Sequence, residues 1–129
     1  MHVLRADQQL SCGIKYKIGG AAMQRYGSII GVKKEKLDDY KYHHAHIWPE
    51  INAMIKECNI SNYSIYNFGE LLFSYYEYTG DDYKADMDKM AADPKTQEWW
   101  DLVMPFQQPL EERKEGEWWA EMEEVYHLD

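Results

Sequence analysis

The sequence predicts an α+β domain with the ferredoxin-like, split βαβ arrangement: a four-stranded antiparallel sheet with helices on one face. Three observations predict it. Short β-branched and aromatic runs alternate with longer stretches of three- and four-residue apolar period, in the order strand, helix, strand, strand, helix, strand. At 129 residues the chain holds one hydrophobic core and not two. With 45% hydrophobic and 29% charged residues it is globular, and no apolar run approaches the roughly 18 residues that span a bilayer, so a soluble protein is expected.

Residues 1–22 mix Gly13, Gly19 and Gly20 with scattered polar side chains and show no sustained period, so they read as a disordered N-terminal extension. They lack the apolar stretch of a secretory signal. The domain is then residues 23–129. From Arg25 the run Tyr26, Ser28, Ile29, Ile30, Val32 predicts the first strand. Leu37, Tyr40, His44, Ile47 and Trp48 follow at helical spacing, and Ile51, Met54, Ile55 and Cys58 continue it, which predicts a helix bent or broken at Trp48-Pro49. Two Tyr-rich runs, 61–67 and 71–78, flank the Phe68-Gly69-Glu70 turn and predict an antiparallel hairpin. Asp81 or Asp82 can cap a helix bearing Tyr83, Met87 and Met90, and Asp93-Pro94 is a cap followed by a first-turn proline for a helix carrying Trp99 and Trp100. Residues 104–116, with Pro105 and Pro109, read as a long loop, and 122–128 as the fourth strand. The acidic residues of 111–124 read as a solvated face.

The charge balance narrows the partners. Fourteen basic against 23 acidic residues leave a net charge of -9, which repels nucleic-acid phosphates and anionic membrane surfaces. Cys12 and Cys58 are too few for a disulfide framework, which suits a reducing cytoplasm. Eleven Tyr, five Trp and three Phe are more aromatic surface than so small a core readily absorbs, so some rings are expected at a cavity or an interface.

Chemistry concentrates in 40–50. Tyr40 and His44 are four apart and point the same way from a helix, which places an imidazole beside a phenol for acid/base work near neutral pH; the plainer alternative is a core histidine satisfied by a backbone carbonyl. His43, His44 and His46 diverge around a helix and make a poor metal set, and His43 and His46 read as solvated or interface residues. Adjacent Trp99 and Trp100 are not expected to enter one core together, so at least one should line a wall that can stack on a sugar ring; core plus dimer interface is the alternative for Trp100. Trp118 and Trp119 can close over a site or meet a partner subunit. No phosphate-cradling glycine loop, nucleophile triad or dinucleotide fingerprint is present.

Taken in order, Tyr40 with His44, Ile47-Trp48-Pro49-Glu50, Asn62-Tyr63 to Tyr66, Leu71-Leu72-Phe73, Trp99-Trp100 and Glu124 to Leu128 resemble the L-rhamnose mutarotase family over about 25–128. The resemblance implies a cytoplasmic homodimer of the dimeric α+β barrel type that interconverts the α and β anomers of L-rhamnose or a related deoxy sugar without metal or organic cofactor. It implies His44 as the acid residue, and Tyr40, Tyr63, Trp99 and Trp100 as sugar contacts. On that basis His44 would protonate the ring oxygen while Tyr40, Tyr63 or a water handles the other proton. His46, where many relatives have proline, and the Pro/Glu-rich loop before Trp118 depart from the pattern, and both bear on the exact sugar. A haem- or small-molecule-handling monooxygenase of the same fold and a non-catalytic sugar-binding module are the readings from other classes.

Overall fold

The computed structural model describes residues 15–18 and 21–129, with side chains from Met23 onward. Two strands open it, β1 (Lys15–Ile18) and β2 (Ala21–Val32). A 3-10 turn at Lys34–Lys36 leads into α1 (Leu37–Ala45), and Pro49 restarts the chain as α2 (Pro49–Glu57). The hairpin β3 (Ile60–Phe68) and β4 (Leu71–Tyr78) follows, then α3 (Tyr83–Ala92) and α4 (Pro94–Val103), a 3-10 turn at Met104–Phe106, and the short strands β5 (Gln107–Gln108) and β6 (Ala120–Met122). The sheet is antiparallel in the order β1-β2-β4-β3, with β5 and β6 also on β2. The α+β split βαβ order is therefore as expected, and the sheet curls as half of a barrel.

Local chemistry explains the element ends. Trp48 takes an extended conformation before Pro49, as proline demands of its predecessor, so the predicted break falls between two helices. Asp82 Oδ1 accepts from Ala85 N at 3.1 Å and caps α3, and Asp93 Oδ2 accepts from both the N–H and the hydroxyl of Thr96 and caps α4.

Alternation along β4 sorts the sheet into two faces. Leu72, Ser74, Tyr76 and Tyr78 are buried under the helices, joined by Tyr26, Ser28, Ile30 and Val32 of β2. Ser28 and Ser74 lie opposite each other and share a buried hydroxyl hydrogen bond of 2.7 Å. The core falls into two clusters bridged by Phe106, one of Tyr26, Ile51, Met87, Trp99, Trp100 and Val103 and the other of Ile30, Val32, Tyr40, Leu72 and Trp119. Among the described residues no helix covers the opposite face, which carries Tyr66 and Phe68, 66% and 79% exposed.

Four expectations are corrected. Lys15–Ile18 and the start of β2 lie within the segment read as a tail, yet pair as strands; the rest of that segment, Cys12 included, lies outside the described residues. The last strand is Ala120–Met122 rather than 122–128, because β1 and β5 already occupy the ends of the β2 edge. Beyond it Glu124 forms a bidentate ion pair with buried Arg25, while Val125, Tyr126 and Leu128 are exposed. Within 104–116 the loop is interrupted by the 3-10 turn and by β5. Finally, the acidic segment is not wholly solvated: Glu117 is buried and accepts from Lys114 N.

Candidate acid/base site

Helix α1 buries one residue, Tyr40, and His44 follows one turn later. Their rings stack with centroids 4.0 Å apart and planes at 23°. His44 Nδ1 lies 2.9 Å from the Tyr40 carbonyl oxygen. A carbonyl only accepts, so Nδ1 carries the hydrogen and the lone pair of the neutral ring sits on Nε2. Half of the plain reading is thus realised, since a backbone carbonyl satisfies Nδ1. Nε2 departs from it: that atom is buried and has no hydrogen-bond partner among the described residues.

Burial drives the His44 pKa down to about 4, with His43 acting in the same direction and the Tyr40 carbonyl opposing. At pH 7 the imidazole is neutral and able to accept a proton. Burial also pushes the Tyr40 hydroxyl well above the usual phenol range, opposed by the Gln107 side chain, and does the same to Tyr63. Both phenols therefore remain protonated and can donate.

His44 and Tyr63 border a cavity of about 520 Å³. His44 and Ile47 form one wall, Ile51, Asn52, Ile55 and Lys56 of α2 a second, residues 60–63 and Ile65 of β3 a third, and Trp99 of α4 a fourth. Its volume and mainly apolar lining with a few polar groups suit a small organic ligand. A second cavity of about 180 Å³ lies against Tyr40, His44, Ile65 and Leu72, so His44 borders both. Trp99 meets His44 edge-on at 5.3 Å and Trp48 edge-on at 5.2 Å.

Of the residues singled out in the sequence, His44, Tyr63 and Trp99 line the larger cavity, and Tyr40 lines the smaller. Trp100 does not line either; it is buried in the core beside Trp99. Both indoles enter the same core because α4 packs against α2 on one side and α3 on the other. Trp119 is fully buried with Tyr40, and Trp118 packs on that cluster while its Nε1 donates to Gln107 Oε1 at 2.8 Å. His43 stacks on Phe106 and His46 is exposed, with Nδ1 donating to the Tyr42 carbonyl. No group of three or more metal-ligating side chains occurs among the described residues. Sequence reasoning missed Asn52 and Lys56, although their four-residue step beside Ile51 and Ile55 is a polar stripe edging an apolar one.

A neutral, half-buried imidazole and a protonated phenol border the larger cavity and a second phenol borders the smaller, groups able to exchange protons with a small polar molecule, carried on a half-barrel α+β sheet. The L-rhamnose mutarotase family model matches residues 25–128, and the chain belongs to that family. It is 39% identical over 101 residues to a UPF0734 protein of Dictyostelium discoideum, covering 74% of this chain and 81% of that one. It is 31% identical over 109 residues to the L-rhamnose mutarotase of Oceanobacillus iheyensis, covering 83% of this chain and all of that one. Among solved structures, the L-rhamnose mutarotase of Formosa agariphila superimposes with a TM-score of 0.64 at 22% identity, over 82% of this chain and 99% of that one. The tetracenomycin F2 cyclase of Streptomyces glaucescens has the same fold, with a TM-score of 0.62 at 14% identity, over 81% of this chain and 96% of that one. Interconversion of sugar anomers, an isomerase activity, is the known function of the family.

Proposed function

We propose that this chain is a mutarotase that interconverts the α and β anomers of L-rhamnose or a closely related deoxy sugar, with His44 as its proton-transfer group. The observation that carries the reading is the unpartnered, buried Nε2 of a neutral His44 beside a cavity fit for a monosaccharide. Mutarotation removes a proton from the anomeric hydroxyl, breaks the bond between C1 and the ring oxygen, and protonates that oxygen. The free aldehyde turns and the ring closes on its other face. Because the resting imidazole is neutral, its first step is to accept the anomeric proton; the imidazolium so formed then delivers a proton to the ring oxygen. This reverses the order of duties that the resemblance alone suggests. Tyr63 donates a hydrogen bond to the developing alkoxide, and Tyr40, on the smaller cavity that His44 also borders, holds the imidazole by stacking on it. Trp99, fully buried and edge-on to both His44 and Trp48, backs the cavity wall from behind those rings, and Trp100, away from both cavities, packs in the same core.

The working form is a cytoplasmic homodimer. The open sheet face carries Ile29, Tyr66, Phe68, Leu71, Phe73 and Met122 in register, an apolar surface that a second copy of the same face would cover. Cys58 is a buried free thiol, in keeping with a reducing compartment.

Magnetisation transfer between the anomeric proton signals tests the activity across L-rhamnose, L-fucose and D-glucose. Accelerated exchange with L-rhamnose and little with D-glucose is the expected result. Saturable sugar binding without faster exchange would make the chain a binding module and refute the proposal.

A further inference from the structure

We infer that Glu77, on the sheet face away from the cavity, is a positioning residue for Tyr63: its carboxylate holds Asn62 in the left-handed conformation of a β-bulge, and the bulge turns Tyr63 toward the sugar. The inference rests on Tyr63 being a sugar contact.

The register carries the argument. Ile60 pairs with Tyr78 and Ser61 with Glu77, but the next pair is Ser64 with Tyr75, so three steps of β3 run against two of β4. One residue is therefore extra, which inverts the side-chain alternation beyond it. Ile60 faces the helices, and by simple alternation Tyr63 and Ile65 would face the open side. With the extra residue both return to the helix side, where both line the larger cavity.

The distortion is accommodated at Asn62, whose φ is +47°. Asparagine tolerates this region better than most residues, yet it is still an uncommon backbone state. Asn62 Nδ2 donates to Glu77 Oε1 at 2.6 Å, and Tyr75 Oη donates to Glu77 Oε2 at 2.7 Å. Both carboxylate oxygens are thus engaged, and the two bonds hold Glu77 below the ordinary carboxyl pKa. Arg25 stands opposite Glu77 in the β2–β4 register and is itself tied to Glu124 by 2.8 and 3.0 Å contacts. A polar network on the face without helices thereby ends on the backbone that aims a cavity side chain.

The test is a double-mutant cycle read by anomer exchange of L-rhamnose across sugar concentrations, with thermal unfolding of each variant as a fold check. Glu77→Ala is expected to lower kcat/KM about tenfold, the scale of losing one hydrogen bond to a charged group. In an Asn62→Gly background, where glycine adopts φ > 0 without a clamp, the same substitution is expected to have no further effect, and Glu77→Gln should retain more activity than Glu77→Ala. A Glu77 that merely stabilises the sheet would cost the same in both backgrounds, and that result would overturn the inference. Unchanged exchange in Glu77→Ala while Tyr63→Phe is impaired would also overturn it. Unchanged exchange in Tyr63→Phe would remove Tyr63 as a sugar contact and the inference with it.

Discussion

The neutrality of His44 fixes how both stability and activity depend on pH. Folding lowers its pKa from the ordinary 6.5 to about 4, chiefly by burial. Between those values the unfolded chain binds a proton at His44 and the folded chain does not, so acidification through this window favours unfolding. A difference of about 2.5, at about 1.4 kcal/mol for each pH unit, comes to about 3 kcal/mol, fully lost below about pH 4 and absent as a penalty above about pH 6.5. The perturbation is His44→Gln, which removes the titration at similar size. Urea unfolding at pH 7, 6, 5 and 4 should find wild type losing about 3 kcal/mol relative to the variant across that range. Exchange by the wild type should hold its plateau from pH 7 to about pH 5 and fall off near pH 4, as the base becomes protonated. A stability difference that does not change with pH, or activity that rises as the pH drops from 7 toward 4, would mean that the working form is the imidazolium and would refute the reasoning.

Further outcomes follow from packing. Trp119→Ala empties a fully buried site against Tyr40 and should cost about 3 to 5 kcal/mol by denaturant unfolding. Asp93→Ala removes the cap of α4 and strands the buried Thr96 hydroxyl; about 1 to 2 kcal/mol of stability should disappear in the same assay. Gly31→Ala would put a Cβ 2.5 Å from the Gln108 carbonyl oxygen, so β5 must separate from β2, visible as faster amide exchange at Gln107 and Gln108. Phe73→Glu, in the middle of the open sheet face, should convert a homodimer to monomers by light scattering, and an unchanged mass would place the subunit contact elsewhere.

Much of the fold is legible because local signals and tertiary packing agree. The Tyr-rich runs 61–67 and 71–78, the turn at Gly69 and the caps, Asp93 and one of Asp81 or Asp82, specify elements that form, with Asp82 as the cap of α3. The edge of β2 is not legible, since Lys15–Ile18, Gln107–Gln108 and Ala120–Met122 are short segments selected by a shared backbone partner rather than by their own side-chain pattern. Within the site, the four-residue step from Tyr40 to His44 predicts that the two side chains point the same way, and the structure stacks their rings. Which nitrogen of His44 remains available depends on the Tyr40 carbonyl, a backbone group that no side-chain motif encodes. Likewise, the orientation of Tyr63 depends on a one-residue bulge that only the pairing with β4 defines. Adjacency left Trp100 open between a cavity wall and the core, and only the helices on both sides of α4, which no local motif encodes, draw it into the core.

Anomer exchange of L-rhamnose, measured by magnetisation transfer at pH 7 for wild type and for His44→Ala, tests the central claim most directly. General acid/base catalysis by a single side chain is worth about 10² to 10⁴ in rate, so the variant should lose that much while its thermal unfolding remains cooperative. Exchange undiminished in a folded His44→Ala protein would contradict the account.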